Sequence, residues 1–503
     1  MDSLQLDSTI VLLSLVLVVS CLVIVRSFSS GRKGRLPPSP RGLPIIGNLH
    51  QLGQGYLHRR LQALAQRHGP VFLLRLGSMP TIVVSSASVA ETVLRTQDKV
   101  FCSRTPKYTV RGTLYGCRDI AFSPYGEQWR QSRRIAVVHM FSVKRVDSFR
   151  ALRVQEVACF VQQIREAGKD RGVVNLTELI AGLTNTVILK TAFGNKLRGV
   201  DPEIFSDVMK ELSQVIHITA ASDLFPRLWW LDWATGLDAK VKKMAAKLDG
   251  ILEGVLREHE RSRGDGEGEI HDLVDDLLSI VKDGDLDRIE AKALILDMFI
   301  AGPGTIYKAI EWTMAQLMKN PREMAKVQSE VRQVAAGTHG GVLEEELEKM
   351  SFLHAAITES LRLLPVLIKH ETIQNTRLHG YDIPAKTWVI INAWAIGRDS
   401  ESWENAEEFR PERFLGKAFD YSGKDTRFLP FSAGRRGCPG ITFAMRLMEL
   451  TLANMMYHFD WELPDGQDPE SFEVIESSEI SHGLKSALIL GVTPCKKAWT
   501  DME

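Results

Sequence analysis

Between about residues 55 and 365, apolar residues recur every three to four positions in long runs, the period of helices with one buried face. The spacing predicts amphipathic helices over 57–67, 87–96, 143–167 and 179–193. Shorter runs over 71–76 and 81–85 are rich in strand-forming residues and predict a small hairpin-containing sheet. Beyond 365 the helical period gives way to short strands and irregular segments, such as 387–391. The polar, Gly-rich stretches 261–269 and 335–341 read as loops. No internal repeat appears, and nothing between 50 and 503 has the composition of a flexible linker. The pattern predicts one large, mostly α domain with small β-sheets over 45–503.

The first residues follow a different pattern. Asp7 and Arg26 bracket 18 residues without a charge, and 10–25 is almost wholly apolar. A spanning helix needs about 17–25 such residues, so residues 1–30 are expected to form a membrane anchor with its helix over about 8–26. Arg26, Arg32, Lys33, Arg35 and Arg41 follow without an acid among them. The positive-inside rule then leaves the bulk of the chain cytosolic, as in a single-pass protein of the endoplasmic reticulum membrane. A cleaved signal peptide is the alternative, but its basic cluster would precede the apolar run. Asn175-Leu176-Thr177 is a glycosylation sequon that offers a check: a sugar there would invert the topology. Residues 31–44 form a basic, Pro-rich hinge, with four prolines among positions 37–44. Such a run is extended and stiff. It either fixes the pose of the globular part or serves as a plain linker.

Charge narrows the partners little. Lys plus Arg equals Asp plus Glu at 62 each, so nothing points to nucleic acid. Six cysteines are scattered at 21, 102, 117, 159, 438 and 495, with no CxxC pair. That spacing argues against a zinc ribbon and against a disulfide framework. Only Cys438 has neighbours that suggest more than a small buried hydrophobe.

Those neighbours read Phe431-Ser-Ala-Gly434-Arg435-Arg436-Gly437-Cys438-Pro439-Gly440. Glycines let a backbone approach a thiolate closely and turn N–H groups toward the sulfur. The segment resembles the haem-binding loop of the cytochrome P450 superfamily, Phe-x-x-Gly-x-Arg-x-Cys-x-Gly, at every fixed position. The resemblance implies that Cys438 ligates the iron of haem b, that Phe431, Gly434 and Gly440 shape its loop, and that Arg436 neutralises a propionate. Glu359-Ser-Leu-Arg362 and Phe409-Arg-Pro-Glu-Arg413-Phe resemble two further family motifs. The family then implies an ion network of Glu359, Arg362 and Arg413 behind the haem loop. Trp129-Arg-Gln-Ser-Arg133 resembles the Trp-x-x-x-Arg helix, whose two side chains share a face and can reach a propionate. The resemblance spans essentially residues 30 to 500. Gly42-Leu-Pro-Ile-Ile-Gly-Asn-Leu-His50 and Phe459-Asp-Trp461 look most like the large plant microsomal group.

Two stretches depart from that group. Its central helix usually carries Ala-Gly-x-Asp/Glu-Thr-Thr/Ser, whereas this chain reads Ala301-Gly302-Pro303-Gly304-Thr305-Ile306. Thr305 keeps the alcohol and is the expected catalytic residue; the acid position is Gly304. Pro303 lacks an N–H, so it is expected to free the Phe299 carbonyl and kink the helix. The Gly-Pro-Gly run is expected to widen the groove and admit water in place of the carboxylate. The second departure is Pro365-Val-Leu-Ile-Lys369-His370-Glu371, where plant relatives usually end in Pro-Arg-Glu. His370 stands where an Arg normally meets a propionate.

The resemblance implies a monooxygenase that uses NADPH through NADPH–cytochrome P450 reductase to place one oxygen atom from O2 into a small apolar substrate of specialised metabolism. Arg130, Arg134, Lys144 and Arg145 either dock the acidic reductase or form a solvated face. Segments 101–122, 294–306, 365–371 and 481–485 are the expected pocket walls, with Leu114, Ala301, Leu367 and Leu484 facing the substrate. The lost acid at Gly304 keeps open a haem-thiolate dehydratase or isomerase that does not activate O2. A non-catalytic haem binder is the remaining alternative.

Overall fold

The computed structural model describes residues 34–495, except 54, 195–196, 198–200, 263–271, 338–339, 417–419 and 478–482. The expected membrane helix over 8–26, the start of the hinge, most of the loop 261–269 and part of the pocket segment 481–485 lie outside the described residues.

Helices dominate. In chain order the longer ones are α1 (Leu57–His68), α2 (Glu127–Ile135), α3 (Arg150–Arg171), α4 (Leu176–Phe193), α5 (Pro202–His217), α6 (Leu237–Ser262), α7 (Leu273–Asp283), α8 (Arg288–Lys319), α9 (Pro321–Val334), α10 (Ser351–Leu363) and α11 (Ile441–His458). Each reflects local sequence. In α1, Gly69 at φ 95° closes the helix and returns its N–H to the Ala65 carbonyl. A capping box starts α8: the Glu290 N–H donates to Asp287 and the Asp287 N–H donates to Glu290, at 2.7 and 3.0 Å. The single helix expected over 143–167 is two, Val143–Ser148 and then α3. Phe149 breaks the run by turning its ring into the core, with the Arg145 guanidinium 4.4 Å above it.

Strands are short. β1 (Val71–Leu76), β2 (Met79–Val84), β3 (Val173–Asn175), β4 (Leu367–Glu371), β5 (Thr376–Leu378), β6 (Tyr381–Ile383), β7 (Trp388–Asn392), β8 (Phe459–Glu462) and β9 (Ile489–Pro494) make three small sheets. The largest runs β1-β2-β7-β4, with β2 parallel to β7 and the other pairs antiparallel. Its two faces bury different clusters. Ile82, Val84, Ile368, Val389 and Ile391 face Leu429 and Ala433, beside the Cys438 loop. Phe72, Leu74 and Ile390 face α1, with Leu224 and Leu367 packed against them.

The main core is built on α8. Most of its residues from Ala291 to Phe299 and from Ala309 to Met318 are buried. Phe299 stacks on Phe193 of α4 at 5.1 Å and meets Phe205 of α5 edge-on at 4.6 Å. Helical structure continues unbroken through Pro303, although Pro303 offers the Phe299 carbonyl no N–H. The expected widening needs correction at Gly302. A Cβ there would stand 2.5 Å from Ile188 Cδ1, so Gly302 lets α4 approach α8 closely rather than opening a groove. Gly304 alone faces open space.

Candidate functional site

The loop carrying Cys438 is fixed from within. The Cys438 N–H donates to the Phe431 carbonyl at 2.9 Å, and the Phe431 ring stands edge-on to Tyr421 at 5.9 Å. Gly434 has φ 67°, and a Cβ there would stand 2.1 Å from the Leu94 carbonyl oxygen, so only glycine fits. Asp98 holds the next residue, accepting the Arg435 N–H at 3.2 Å and pairing with its guanidinium at 3.1 Å. Gly440 opens α11, and its N–H acts on the Cys438 sulfur.

Cys438 is exposed, but onto interior space: protein crowds the sulfur so closely that burial raises the thiol pKa. The Gly440 N–H and Arg133 oppose that shift. Ala301 and Thr305 are likewise exposed in the middle of the otherwise buried α8. They are one turn apart and share a face. The Thr305 hydroxyl donates to the Ala301 carbonyl at 2.6 Å, the usual resting bond of a helical threonine.

Buried cations gather near the loop. Trp129 Nε1 donates to the Ile120 carbonyl at 3.0 Å. Arg133, one turn further along α2, donates to the Gly437 carbonyl. Arg436 donates to the carbonyls of Cys102, Ile120 and Ser123 at 2.6, 3.1 and 2.5 Å and lies 4.2 Å over the Trp129 ring. Burial, with Arg104 nearby, lowers its pKa to about 9. Burial lowers that of Arg104 to about 10, and Arg104 Nε has no partner among the described residues. His370 is buried with neither ring nitrogen in a well-formed hydrogen bond. Burial, Arg104 and Arg436 hold it well below the usual imidazole range, against a weak pull from the Phe101 carbonyl. Two buried acids in this region are Asp119 and Asp297. Burial raises Asp119 to about 6, and burial with the neighbouring Asp119 raises Asp297 well above the usual carboxylate range. Asp297 accepts the Ile120 N–H at 2.7 Å, tying α8 to the 117–124 loop.

This donor set fits haem b. A soft sulfur faces an interior space, and buried guanidinium and imidazole groups, two of them with unpartnered nitrogens, suit a ligand with carboxylate arms. A thiol whose pKa burial raises becomes a thiolate only beside a strong positive partner such as iron. Arg104, Asp119 and Asp297 escaped sequence reasoning. They lie far apart in the chain, and no local spacing marks them.

The supporting network is saturated. Glu359 and Arg362 form a two-pronged pair at 2.8 Å with neither side chain exposed. Arg362 also donates to the carbonyls of Gly397, Ala406 and Glu408. Glu359 accepts from Arg413 at 3.0 Å and from the Arg410 N–H at 2.8 Å. The Arg362 guanidinium lies 5.3 Å over Trp403, which packs on Phe414, and Phe414 packs on Phe428, three residues before Phe431. The network therefore reaches the Cys438 loop through rings.

The expected pocket residues separate. Ala301 is exposed on α8, one turn before Thr305. Leu114 is buried in the main core, and Leu484 packs at its edge. Leu367 lies on the α1 side of the large sheet, away from the face that carries His370.

Comparison with known proteins agrees with this geometry. A family profile described as Cytochrome P450 matches residues 37–481. Cytochrome P450 71A2 of Solanum melongena is 43% identical over 473 residues, covering 92% of this chain and 93% of that protein. A phenylacetaldehyde oxime monooxygenase of Prunus mume is 42% identical, covering 94% of this chain and 92% of that protein. A zebrafish cytochrome P450 solved with progesterone shares the fold, with a TM-score of 0.74 at 24% identity, covering 88% of this chain and all of that one.

Proposed function

The chain belongs to the cytochrome P450 family, and from that premise we propose that it is a membrane-anchored monooxygenase fed by NADPH–cytochrome P450 reductase and acting on an apolar small molecule. It is an oxidoreductase of the haem b class, grouped with plant enzymes of specialised metabolism. The carrying observation is Cys438 in a loop that matches the family motif at every fixed position, exposed although protein crowds its sulfur, with Ala301 and Thr305 exposed on the middle of α8. Haem held through Cys438 supplies the activation of O2. Arg104, Arg133, Arg436 and His370 would hold its acid arms, and Trp129 braces Arg436. The Thr305 hydroxyl delivers protons into the space above. With Gly304 in place of the acid, water beside Thr305 completes the relay. The retained hydroxyl and a monooxygenase relative favour this reading over dehydration or isomerisation.

Residues 1–30 form the anchor, 31–44 the hinge and 45–503 the catalytic domain. Two exposed apolar groups support membrane contact: Leu43, Ile45 and Ile46 around the end of the hinge, and Trp229, Trp230 and Trp233 on the short helix Trp229–Ala234. The β1–β2 turn joins them, since the Gly77 N–H donates to Ile46 and the Ser78 N–H to Leu224. Tryptophans favour membrane–water interfaces. Among the described residues, the one helix long and apolar enough to span a membrane is α8, which is mostly buried core. For the reductase, Arg130, Arg134 and Lys144 are exposed beside the Cys438 loop. Arg145 is drawn aside by Asp276 at 2.7 Å and leaves that set.

The test is a reduced, carbon monoxide difference spectrum of the membrane-expressed protein, with NADPH oxidation followed alongside. The wild type should show the thiolate Soret band and reductase-dependent, substrate-stimulated NADPH use; Cys438→Ser should lose both. A thiolate band without reductase-driven turnover on any compound would sink the monooxygenase reading. No such band in folded, haem-loaded protein would sink the ligand assignment.

A further inference from the structure

We propose that Asp119 and Asp297 share one buried proton and feed it toward Thr305, standing in for the acid missing at Gly304. The proposal deepens the monooxygenase reading and rests on it.

Backbone geometry brings the two carboxyls together. Three successive N–H groups of the 117–124 loop serve them. Ile120 donates to Asp297 Oδ2 at 2.7 Å, Phe122 donates to Asp119 Oδ1 at 2.5 Å, and the Ala121 N–H acts on both. Asp119 is 1% exposed and Asp297 6%. Each keeps one buried oxygen, Asp119 Oδ2 and Asp297 Oδ1, without a hydrogen-bond partner among the described residues. Two carboxylates side by side in a dry site cannot both stay charged. One proton between them gives the first orphan oxygen a hydrogen to donate and the second a hydrogen to accept. Other groups face the pair from neighbouring elements: Arg133 of α2 acts on Asp297, and Arg104, Cys117 and Arg436 interact with Asp119. Among the described residues, Arg133 and Arg436 give hydrogen bonds to backbone carbonyls rather than to the pair. Burial and mutual repulsion outweigh these cations and hold Asp297 well above the usual carboxylate range.

Helix α8 lines that proton up with Thr305. Asp297, Ala301 and Thr305 follow at intervals of four residues along one flank of the helix, and the last two are exposed. Eight residues of helix rise about 12 Å, a span that a short file of water crosses. Room exists at its end, since a Cβ on Gly304 would meet nothing within 4 Å. The Thr305 hydroxyl donates to the Ala301 carbonyl, which leaves its oxygen open to accept. A proton leaving the pair passes by water to Thr305 Oγ, whose own proton moves on to the dioxygen being reduced. The negative charge stays on Asp119 and Asp297 until solvent returns a proton between turnovers. The electrons are those the reductase supplies, so this step moves protons only.

The experiment uses the full-length, detergent-solubilised holoprotein. Infrared spectra of the resting protein near neutral pH read the proton directly. The wild type should show the carbonyl stretch of a protonated carboxyl, moved by D2O and by isotope labelling of aspartate carboxyl carbons. Asp297→Asn and Asp119→Asn should each remove that band; asparagine keeps an oxygen for the loop N–H groups. In turnover, Asp297→Asn should lower product formed per NADPH about tenfold. Adding Gly304→Asp to Asp297→Asn should bring coupling back to within about threefold of wild type while the band stays absent. A residue that only braces the 117–124 loop would not be rescued from Gly304, so a coupling loss that Gly304→Asp leaves in place overturns the proposal. Unchanged coupling in Asp297→Asn overturns it as well. So does a wild type without a protonated aspartate band, a result that needs no variant to fold. Failure of the monooxygenase reading appears separately, as absent reductase-driven turnover in the wild type, whatever the infrared band shows.

Discussion

The two sides of the interior space are built on opposite rules. On the Cys438 side the polar groups are largely spoken for: Glu359 and Arg362 are fully buried and matched, and Cys438 bonds back to Phe431. On the α8 and β4 side, nitrogens of His370 and Arg104 lack partners among the described residues, and Gly304 faces open space. The matched side follows the family motifs without exception, and the unmatched side carries both departures. Saturation protects the chemistry all members share, while unmet polar groups are where a ligand can be recognised.

The sharpest way to break this contrast is Glu359→Ala. It strips Arg362 and Arg413 of their carboxylate and should cost ~3–5 kcal/mol, because a buried cation is left unpaired. The urea midpoint should fall, and haem should be lost in parallel. Survival of both would show that the network is ornamental.

A matched pair remote from the loop sharpens the comparison. Glu476 is buried and accepts from His58 at 2.6 Å and from Arg59 at 2.9 Å. Burial pushes its pKa up, but these two partners overcome that and hold it down at about 2. A depressed carboxylate contributes stability that is complete above the unfolded value near 4.5 and lost as pH falls toward 2. Glu476→Gln should therefore cost ~3 kcal/mol at pH 7, with the difference from wild type shrinking steadily below about pH 4. Thermal melts across that range check it. A constant difference would show that the hydrogen bonds, not the charge, carry the effect.

The smallest stability effect is expected on the unmatched side. Thr305→Ala removes a hydroxyl that bonds only within its own helix, so the melting temperature should barely move. Product formed per NADPH should nevertheless fall about tenfold or more, with hydrogen peroxide rising to match. Unchanged coupling would remove Thr305 from proton delivery.

Legibility in the sequence follows the same division. Helices 57–67 and 179–193 and strand 71–76 were readable because each buries one face at a regular period. The Cys438 loop and the Glu359–Arg362 pair were readable because their residues are adjacent in the chain. The expected anchor rests on composition alone and falls outside the described residues. What could not be read depends on which distant segments meet. Arg104 reaches His370 across more than 250 residues, and the Asp119–Asp297 pair joins a loop to a helix. The side on which His370 falls depends on the β4–β7 register, which alternation within β4 alone does not give. At Gly302 the sequence suggested slack, whereas Ile188 of α4 takes up that space.

Arg362 carries a consequence for how the chain reaches its native state. Its guanidinium makes five hydrogen bonds, to both Glu359 oxygens and to the carbonyls of Gly397, Ala406 and Glu408. A guanidinium has five N–H donors, so none is left over. Any intermediate in which α10 has packed before residues 397–408 settle must bury a cation with donors unmet. Such half-built states are disfavoured, and the two segments should lock together in one step, late in folding and only when both are correct.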